Sequence, residues 1–382
     1  MIQQRLENYR KNKCCTLLGV GPMSKNCIDA SIELADQYKT PLMLIVSRRQ
    51  IDSDKFGGGY VENWNTKQFT EYILKRDINK NIILARDHGG PWQNEYEKSK
   101  QLNLIDAMKS AKDSYCSDID AGFHMLHIDP SVDIHSSPTI DQILERVYEL
   151  YDFCWSYAQQ KKRDIIFEIG TEEQSGSNNT IDKLEYTLEN MRKFCKNNKI
   201  PYPFFIVVQV GTRVMEMRNV GSFDSPIRVI KEMPPEIQIP QMIEICNQYG
   251  IFMKEHNTDY LSTDSLRWQP RLGIHAANVA PEFGVAETKA LVGILKEKNY
   301  IDLLDEFLRI AYDSKKWEKW MTNNTSASDF DKSIIAGHYV FSSDECINLK
   351  KEANQRIKGL DEFLKNQVKS SIFRYMKAFN LT

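Results

Sequence analysis

Short apolar runs recur along the chain, and each is followed by a turn and then by apolar residues at helical spacing. The runs are continuous rather than alternating, which is typical of parallel strands buried on both faces. They begin near residues 14, 41, 81, 122, 164, 203, 250 and 271. Eight strand-then-helix units spread over about 280 residues predict an α/β protein of the (β/α)8 barrel type.

An open, doubly wound sheet is the alternative architecture. The first predicted strand, "CCTLLGV", is not followed by a GxGxxG turn, and eight units suit a closed barrel better. We therefore expect the barrel to occupy residues 1–300, with a helix over residues 1–12 that covers its floor. Residues 301–382 are charged and contain too few apolar positions for a core of their own. They predict a helical extension that packs on the barrel or on a partner subunit.

Composition excludes several classes of protein. The formal net charge of −2 implies no general attraction to nucleic acid or to a membrane surface. No apolar run approaches the length of a membrane span, and the first residues, "MIQQRLENYRKNK", lack the apolar stretch of a signal peptide. The eight cysteines are scattered and form no CxxC pair. These features predict a cytoplasmic protein with reduced thiols.

Candidate chemistry collects at the C-terminal ends of the predicted strands, where the loops of such a barrel form one mouth. These residues are Arg48 and Arg49 after the second strand, Asp87 and His88 after the third, Asp129 after the fourth, Glu168 and Glu172 at the fifth, Gln209 after the sixth, His256 after the seventh, and Asn278 and Glu282 after the eighth. The strand interiors remain mostly apolar, so the polar residues predict a site at this end.

Two of these residues, His88 and His256, have carboxylates beside them and suit a divalent metal ion such as zinc. Such an ion would polarise a carbonyl group, and Asp87 is the candidate for moving the proton. No HxxxH or CxxC spacing supports the metal site independently. The alternatives are that both histidines are only hydrogen-bonded rim residues, and that Asp87 caps a helix that starts near Asn94.

Two further features suggest ligand contacts. The guanidinium groups of Arg48 and Arg49 suit a phosphate or a carboxylate, although either group can instead point to solvent or pair with neighbouring acids. Gly58 lies in a run of three glycines and either contacts a ligand through its backbone N–H or only forms a turn with positive φ. The chain has no GxxxxGK[ST] or GxSxG motif, so neither a P-loop nor a serine hydrolase is supported.

Six segments together resemble a known family. They are "ILARDHGGPWQ", "GFHMLHIDPSVD", "FEIGTEEQSG", "FIVVQVGT", "KEHNTDY" and "NVAPEFGVAETKAL", and they occur in this order at barrel spacing. They are similar to the tagatose-bisphosphate aldolase accessory (non-catalytic) subunit family, a branch of the zinc-dependent class II ketose-bisphosphate aldolases. The resemblance covers about residues 14–300.

The resemblance implies roles for individual residues. Asp87 corresponds to the acid–base group of the class II aldolases, and Glu172 and Asp129 are further candidates for the catalytic acids. His88 and His256 correspond to zinc ligands, and Glu168 is a candidate for a third ligand. Asn257 and Thr258 match positions that hold phosphate, and Asn278 matches a substrate contact.

The chain departs from the class II aldolase pattern at one place, where the accessory-subunit family shows the same gap, and from the accessory-subunit pattern at two. The segment "VVQVGTRV" after the sixth strand has no histidine, whereas the class II aldolases carry their third zinc ligand there. Glu168 or Gln209 would have to replace it. Arg48 and Arg49 stand where the family tends to have Ser-Asn-Gln. Glu282 stands at a typically apolar position, where it would be a metal ligand, a base or a partner of Arg48.

Three functions are compatible with these features. The first is a metal-dependent lyase or epimerase of carbohydrate metabolism that acts on a phosphorylated ketose or related sugar through an enediolate, as an aldolase or an isomerase. The second is a non-catalytic subunit in a hetero-complex with a catalytic aldolase subunit. The third is a sugar-phosphate binding protein without turnover, and a homo-oligomer is compatible with each. The new charges at the mouth favour the first function, and the missing histidine favours the second.

Overall fold

Eight parallel strands close into a barrel in the computed structural model, which describes residues 2–171, 180–220 and 234–382. The barrel strands are β1 (Leu17–Val20), β2 (Leu42–Val46), β3 (Ile82–Gly89), β4 (Met125–Ile128), β5 (Ile166–Ile169), β6 (Phe205–Val208), β9 (Phe252–Glu255) and β10 (Ala276–Val279). A small antiparallel hairpin, β7 (Val214–Met215) and β8 (Arg218–Asn219), follows β6. The order β1-β2-β3-β4-β5-β6-β9-β10, closing on β1, confirms the predicted (β/α)8 barrel.

Helices surround the barrel and continue beyond it. They are α1 (Ile2–Asn12), α2 (Lys25–Tyr38), α3 (Thr66–Leu74), α4 (Glu95–Ser99), α5 (Leu104–Ala121), α6 (Ile140–Gln160), α7 (Ile181–Asn198), α8 (Pro235–Tyr249), α9 (Thr263–Leu272), α10 (Pro281–Glu297), α11 (Ile301–Asp313), α12 (Asp329–Ala336), α13 (Asp344–Arg356) and α14 (Leu360–Ala378). Two helices, α4 and α5, follow β3, because Asn94 and Asn103 each cap a separate helix.

The lower part of the barrel interior is apolar and closed by α1. Inward-facing residues of neighbouring strands, among them Met43, Ile83 and Phe205, form one buried cluster, which also contains Leu6 of α1. A barrel of eight strands is narrow enough for side chains to fill it. The filled floor leaves the opposite end of the strands as the place for polar residues.

The last helix, α14, packs on the barrel's outer helix layer. Val368, Ile372 and Met376 belong to the same core as the barrel strands and helices. Lys365 and Lys369 pair with Glu33 of α2 at 2.6 and 2.7 Å. Helices α10, α11, α12 and α13 enclose a second apolar core, which continues the fold from the last barrel helix. Within the described ranges, no helix has the length and apolar content needed to cross a membrane.

Candidate active site at the barrel mouth

A bulge in β3 presents the Asp87-His88 pair at the mouth. The pairing of β3 with β4 shifts between Arg86 and Gly89, and His88 has a φ of 45°. A bulge changes the direction in which a strand aims its side chains, and histidine is among the residues that tolerate this left-handed backbone. Asp87 and His88 consequently line the mouth cavity, whereas Arg86 points into the helix layer and pairs with Asp118 at 2.5 Å.

His88 and His256 face each other across the mouth. The Nε2 atom of His88 lies 3.1 Å from Nδ1 of His256. The other ring nitrogen of each histidine has a carboxylate behind it: Asp129 Oδ2 is 2.6 Å from His88 Nδ1, and Glu168 Oε1 is 3.3 Å from His256 Nε2. This arrangement fixes the ring orientation and aims one nitrogen of each imidazole at a common point, as outer carboxylates do in metal sites.

Each of the two carboxylates is held in turn by a second group. Ser131 Oγ donates to Asp129 Oδ1 at 2.6 Å, and the Lys254 ammonium lies 2.6 Å from Glu168 Oε2. Lys254 and Glu168 are fully buried. Lys254 and Glu168 therefore form a buried ion pair, in which each group compensates the burial of the other.

His127 of β4 lies beside this pair. Its Nδ1 accepts a hydrogen bond from the backbone N–H of His88 at 3.1 Å. The proton of the neutral imidazole ring therefore lies on Nε2. The buried Nε2 atom has no hydrogen-bond partner within the described part of the chain. Gly170 leaves room for it, because a Cβ atom there would lie only 2.6 Å from Nε2.

Asn278 connects Asp87 to the histidines. Its Nδ2 atom lies 3.2 Å from Asp87 Oδ1 and 2.9 Å from His256 Nε2. Gly19 on the neighbouring strand β1 makes this possible, since a Cβ atom there would lie 2.2 Å from Asn278 Oδ1. The alternative that Asp87 caps a helix is not what the structure shows, because Asn94 itself accepts from Tyr96 N at 2.8 Å and caps α4.

Burial and charge divide the histidines into two kinds. Burial lowers the pKa of His88, but Asp87 and Asp129 outweigh it and raise that pKa to about 9. Burial lowers the pKa of His256 and of His127 to about 3. Burial also opposes ionisation of Asp129, but its hydrogen bond to His88 lowers the pKa of that carboxyl to about 2. A proton on His88 Nε2 therefore lies between His88 and His256, at the point where both rings converge.

The donor set fits a divalent cation at that point. The 3.1 Å between the two facing nitrogens is close to the roughly 3.4 Å that separates adjacent ligands around tetrahedral zinc with bonds of about 2.0–2.1 Å. Asp87, Asp129 and Glu168 carry three formal negative charges, and Lys254 neutralises one. Ligand atoms of Asp87, His127, Glu168 and His256 also lie within 4.8 Å of one another, as do those of His88, His127 and Asp129.

A cavity of about 360 Å³ lies above these residues. Its volume falls within the range of small-molecule sites, roughly 300–1,000 Å³. Its polar lining includes Asp87, His88, Asp129, His256, Asn257 and Asn278 from the strand ends, and Arg49, Lys98 and Lys319 from the surrounding segments. Of the residues that we expected to bind substrate, Arg49, Asn257 and Asn278 thus face the cavity.

Two other predicted substrate contacts are structural residues. Arg48 is completely buried, and its guanidinium binds Asp52 at 3.0 Å, the Gly90 carbonyl at 3.1 Å, and Glu97. Glu282 accepts from Tyr260 N at 2.6 Å and from Arg374 at 2.7 Å. It therefore ties the start of α10 to α14 and is not a partner of Arg48. The sequence predicts both charges at the mouth because a strand-end position does not reveal which way a loop residue turns.

The remaining predicted residues lie around the cavity rather than in its lining. Gly58, with a φ of 75°, lines a neighbouring cleft between the β2 loop and the C-terminal extension. Gln209 and Thr258 are buried beside the strand ends. Glu168 lies on the side of His256 that faces away from His88, and its role as a third metal ligand stays a prediction. Glu172 lies outside the described residues.

Sequence reasoning assigned no role to three residues of this region: His127, which it placed at a strand end, Lys254 and Lys319. The signal for Lys254 was a lysine inside the apolar run "GIFMKEH", two residues before His256 and hence on the same strand face. His127 stands two residues before Asp129 in the same way. Lys319 gave no such signal, because nothing in the pattern of the extension indicates that it returns to the mouth.

The chain is thus a closed parallel barrel with a histidine–carboxylate cluster at its strand ends, a set of donor atoms that suits a divalent cation. The chain belongs to the family described as D-tagatose-1,6-bisphosphate aldolase subunit GatZ/KbaZ-like, which matches residues 2–335. This family assignment confirms the resemblance carried by the six sequence segments.

Solved structures share the fold. A probable tagatose 6 phosphate kinase from Sinorhizobium meliloti 1021 is 17% identical, with 95% of this chain and 100% of that chain covered and a TM-score of 0.72. A fructuronate-tagaturonate epimerase, UxaE, from Cohnella laeviribosi is 10% identical, with 96% and 81% covered and a TM-score of 0.63. A fructose-bisphosphate aldolase from Campylobacter jejuni is 13% identical, with 99% and 94% covered and a TM-score of 0.55.

Proposed function

We propose that this chain is a divalent-metal-dependent enzyme that acts on a phosphorylated ketose. It would break or form a carbon–carbon bond next to the carbonyl carbon, or epimerise such a sugar through an enediolate. The observation that carries the proposal is the convergence of His88 Nε2 and His256 Nδ1 at 3.1 Å, each ring backed by a carboxylate, beside Asp87. The family of aldolase subunits to which the chain belongs supports the same substrate class.

Each residue of the cluster has a distinct part in this proposal. His88 and His256 hold the ion, and Asp129 and Glu168 orient them. When bound, a divalent ion such as zinc stabilises negative charge on a substrate oxygen. Asp87, whose Oδ1 lies 4.0 Å from His88 Nε2, accepts the proton of a substrate hydroxyl and returns it to carbon or oxygen afterwards. Asn278 holds Asp87 in position by a hydrogen bond from its Nδ2 to Oδ1 of Asp87.

The charges that develop during the proposed reaction suit this geometry. Cleavage of the bond begins when the hydroxyl on the carbon beyond the bond loses its proton to Asp87. The resulting alkoxide oxygen then forms a C=O bond, the carbon–carbon bond breaks, and its electron pair passes to the carbonyl oxygen of the other fragment, which becomes an enediolate. Positioned groups that meet such a developing charge supply much of the rate enhancement in enzymes. Glu172, which follows β5 in the sequence, remains a candidate for the second acid–base group.

A second function is favoured by one observation. Glu168 is shared between Lys254 and His256, and the described part of the segment after β6 contributes no third histidine. Two histidines bind a divalent ion more weakly than three, and this suits a non-catalytic subunit in a hetero-complex with a catalytic aldolase subunit. In that case the chain itself would show no turnover.

The experiment that separates the two functions uses the purified full chain without a partner. Turnover is measured on a panel of ketose mono- and bisphosphates and of hexuronates, with added zinc, cobalt or manganese and with a chelator. The proposed enzyme converts a phosphorylated ketose only with metal, and His256→Ala abolishes the conversion. A chain that converts no sugar at any metal concentration, but that raises the activity of an aldolase subunit when mixed with it, would establish the second function instead.

A further inference from the structure

The mouth cavity has acids at its base and cations around its edge. Asp87 and Asp129 come from the strand ends that form the base. The three cations come from three separate segments: Arg49 from the loop after β2, Lys98 from α4, and Lys319 from the 3-10 turn Glu318–Trp320 of the C-terminal extension. Three cations from separate segments of the chain therefore face the same cavity.

The turn that carries Lys319 is fastened over the mouth by the β7–β8 hairpin. The backbone N–H of Glu216, within that hairpin, donates to the Trp320 carbonyl at 2.7 Å. Thr322 and Thr325 donate their hydroxyls to Glu216 Oε1 at 3.1 and 2.7 Å. A backbone held at Trp320 and just beyond it keeps the neighbouring residue, Lys319, at a defined place.

The ammonium group of Lys319 is positioned by aromatic rings rather than by a carboxylate. It lies 4.6 Å from the ring centre of Trp320 and 4.9 Å from that of Tyr339. The two rings are joined by a hydrogen bond of 3.2 Å from Trp320 Nε1 to Tyr339 Oη. Within the described residues, Lys319 forms no ion pair with an acid. Cation–π contacts hold an ammonium without neutralising it. Burial lowers the pKa of Lys319 to about 7, and an anion bound beside it would favour the charged form.

Arg49, in contrast to Lys319, is restrained by a carboxylate. Its Nε atom lies 3.2 Å from Glu95 Oε1, and about a third of its side chain remains exposed. The fork of the guanidinium group matches paired oxygens of a phosphate or carboxylate. Glu95 orients one edge of Arg49 and leaves the other nitrogens for a ligand.

We propose that Lys319, together with Arg49 and Lys98, binds the phosphate of the substrate, so that the C-terminal extension completes the site. The inference rests on the proposed function for the identity of the substrate. A phosphate monoester carries a charge of about −1.5 to −2 at neutral pH and three acceptor oxygens, so it can engage three cations at once. A carboxylate has one charge and two oxygens and would offset less of the positive charge that these three residues bring to the cavity.

The test is a calorimetric titration of the metal-free full chain with inorganic phosphate at 0.15 M ionic strength. Removal of one charge-assisted hydrogen bond at a partly exposed site weakens binding roughly tenfold, so Lys319→Gln should raise the Kd for phosphate by about that factor. Lys316→Gln is the matched control, because Lys316 lies in the same segment and lines the neighbouring cleft but not the mouth cavity. Its Kd should equal that of the unaltered chain.

Two outcomes would overturn the inference. One is an equal phosphate Kd in the unaltered chain and in Lys319→Gln. The other is a chain that binds a hexuronate tightly and phosphate not at all, which would assign the cations to a carboxylate. The titration needs neither metal nor turnover. A chain that fails to convert any sugar but loses phosphate affinity in Lys319→Gln would therefore refute the proposed function and support this inference.

Discussion

His88 and His256 are separated by 168 residues in the chain, yet their ring nitrogens lie 3.1 Å apart. A different element of the fold brings each ring to this position. A bulge turns His88 over the mouth, and the end of β9 brings His256 from the opposite side. Asp129 and Glu168 then occupy the far nitrogens. The two facing ring nitrogens are therefore held in fixed positions before any ligand binds.

Asp87→Asn keeps the size of the side chain but removes the base. We expect turnover to fall by roughly 10²–10⁴, the usual contribution of a positioned acid–base group, with metal content and melting temperature nearly unchanged. Steady-state kinetics and thermal melts check this. Asp305→Asn, at an exposed position on α11, is the control and should retain full turnover. A lower melting temperature with normal turnover per folded molecule would assign Asp87 a structural role.

The neighbours Arg48 and Arg49 should respond in opposite ways. Arg48→Met leaves the buried acids Asp52 and Glu97 without their cation, and breaking such a pair costs about 3–5 kcal/mol of unfolding free energy. Arg49→Met removes a partly exposed charge and should change that free energy by only about 0.5 kcal/mol, while weakening phosphate binding. Denaturant titrations measure both. Similar losses of stability in the two variants would show that Arg49 is also structural.

The pH dependence of the metal-free chain follows from His88. The pKa of His88 in the folded chain is about 9, above the ordinary histidine value. The proton on His88 therefore stabilises the folded chain fully below about pH 6.5, and this contribution disappears as the pH rises through 9. Its upper limit is on the order of 3 kcal/mol. His88→Gln should be less stable than the unaltered chain at pH 6 and equal to it at pH 10. A constant difference across that range would contradict the assignment of the proton to His88.

Lys254→Met tests the buried ion pair. The metal-free variant should lose several kcal/mol of unfolding free energy, since Glu168 is left buried without its cation. A divalent ion should restore more stability to this variant than to the unaltered chain, because the local negative charge has increased by one. Melting curves with and without zinc measure this. Equal stabilisation by zinc in the two proteins would show that Lys254 has no influence on the cation site.

The fold and the central pair could be predicted from the sequence because they depend on short-range patterns. Continuous apolar runs reveal strands that are buried on both faces, and the strand ends then identify the mouth. Asp87, His88, His256 and Asn278 follow directly from that geometry. The direction in which a loop side chain points could not be predicted from the sequence. Arg48 and Arg49 are adjacent in the chain, but only Arg49 lines the mouth, and the acids that bury Arg48 come from its own loop and from α4.

Long-range returns of the chain were beyond the sequence. Glu282 was expected at the mouth, whereas Arg374 and Tyr375 of α14, more than 90 residues further on, hold it away from there. Lys319 reaches the mouth for a similar reason, since the β7–β8 hairpin fastens its segment. No periodicity encodes such contacts, because they are set by how the extension packs and not by the local pattern of residues.

Joint binding of one divalent ion by His88 and His256 can be observed in crystals of the full chain grown with zinc. Diffraction is measured on both sides of the zinc absorption edge, so that the ion is located by its anomalous signal. We predict one strong anomalous peak at the barrel mouth, about 2.0–2.1 Å from both His88 Nε2 and His256 Nδ1, and its loss in His256→Ala. Saturating zinc with no peak between these two nitrogens, or a peak that persists in His256→Ala, would contradict a shared metal site.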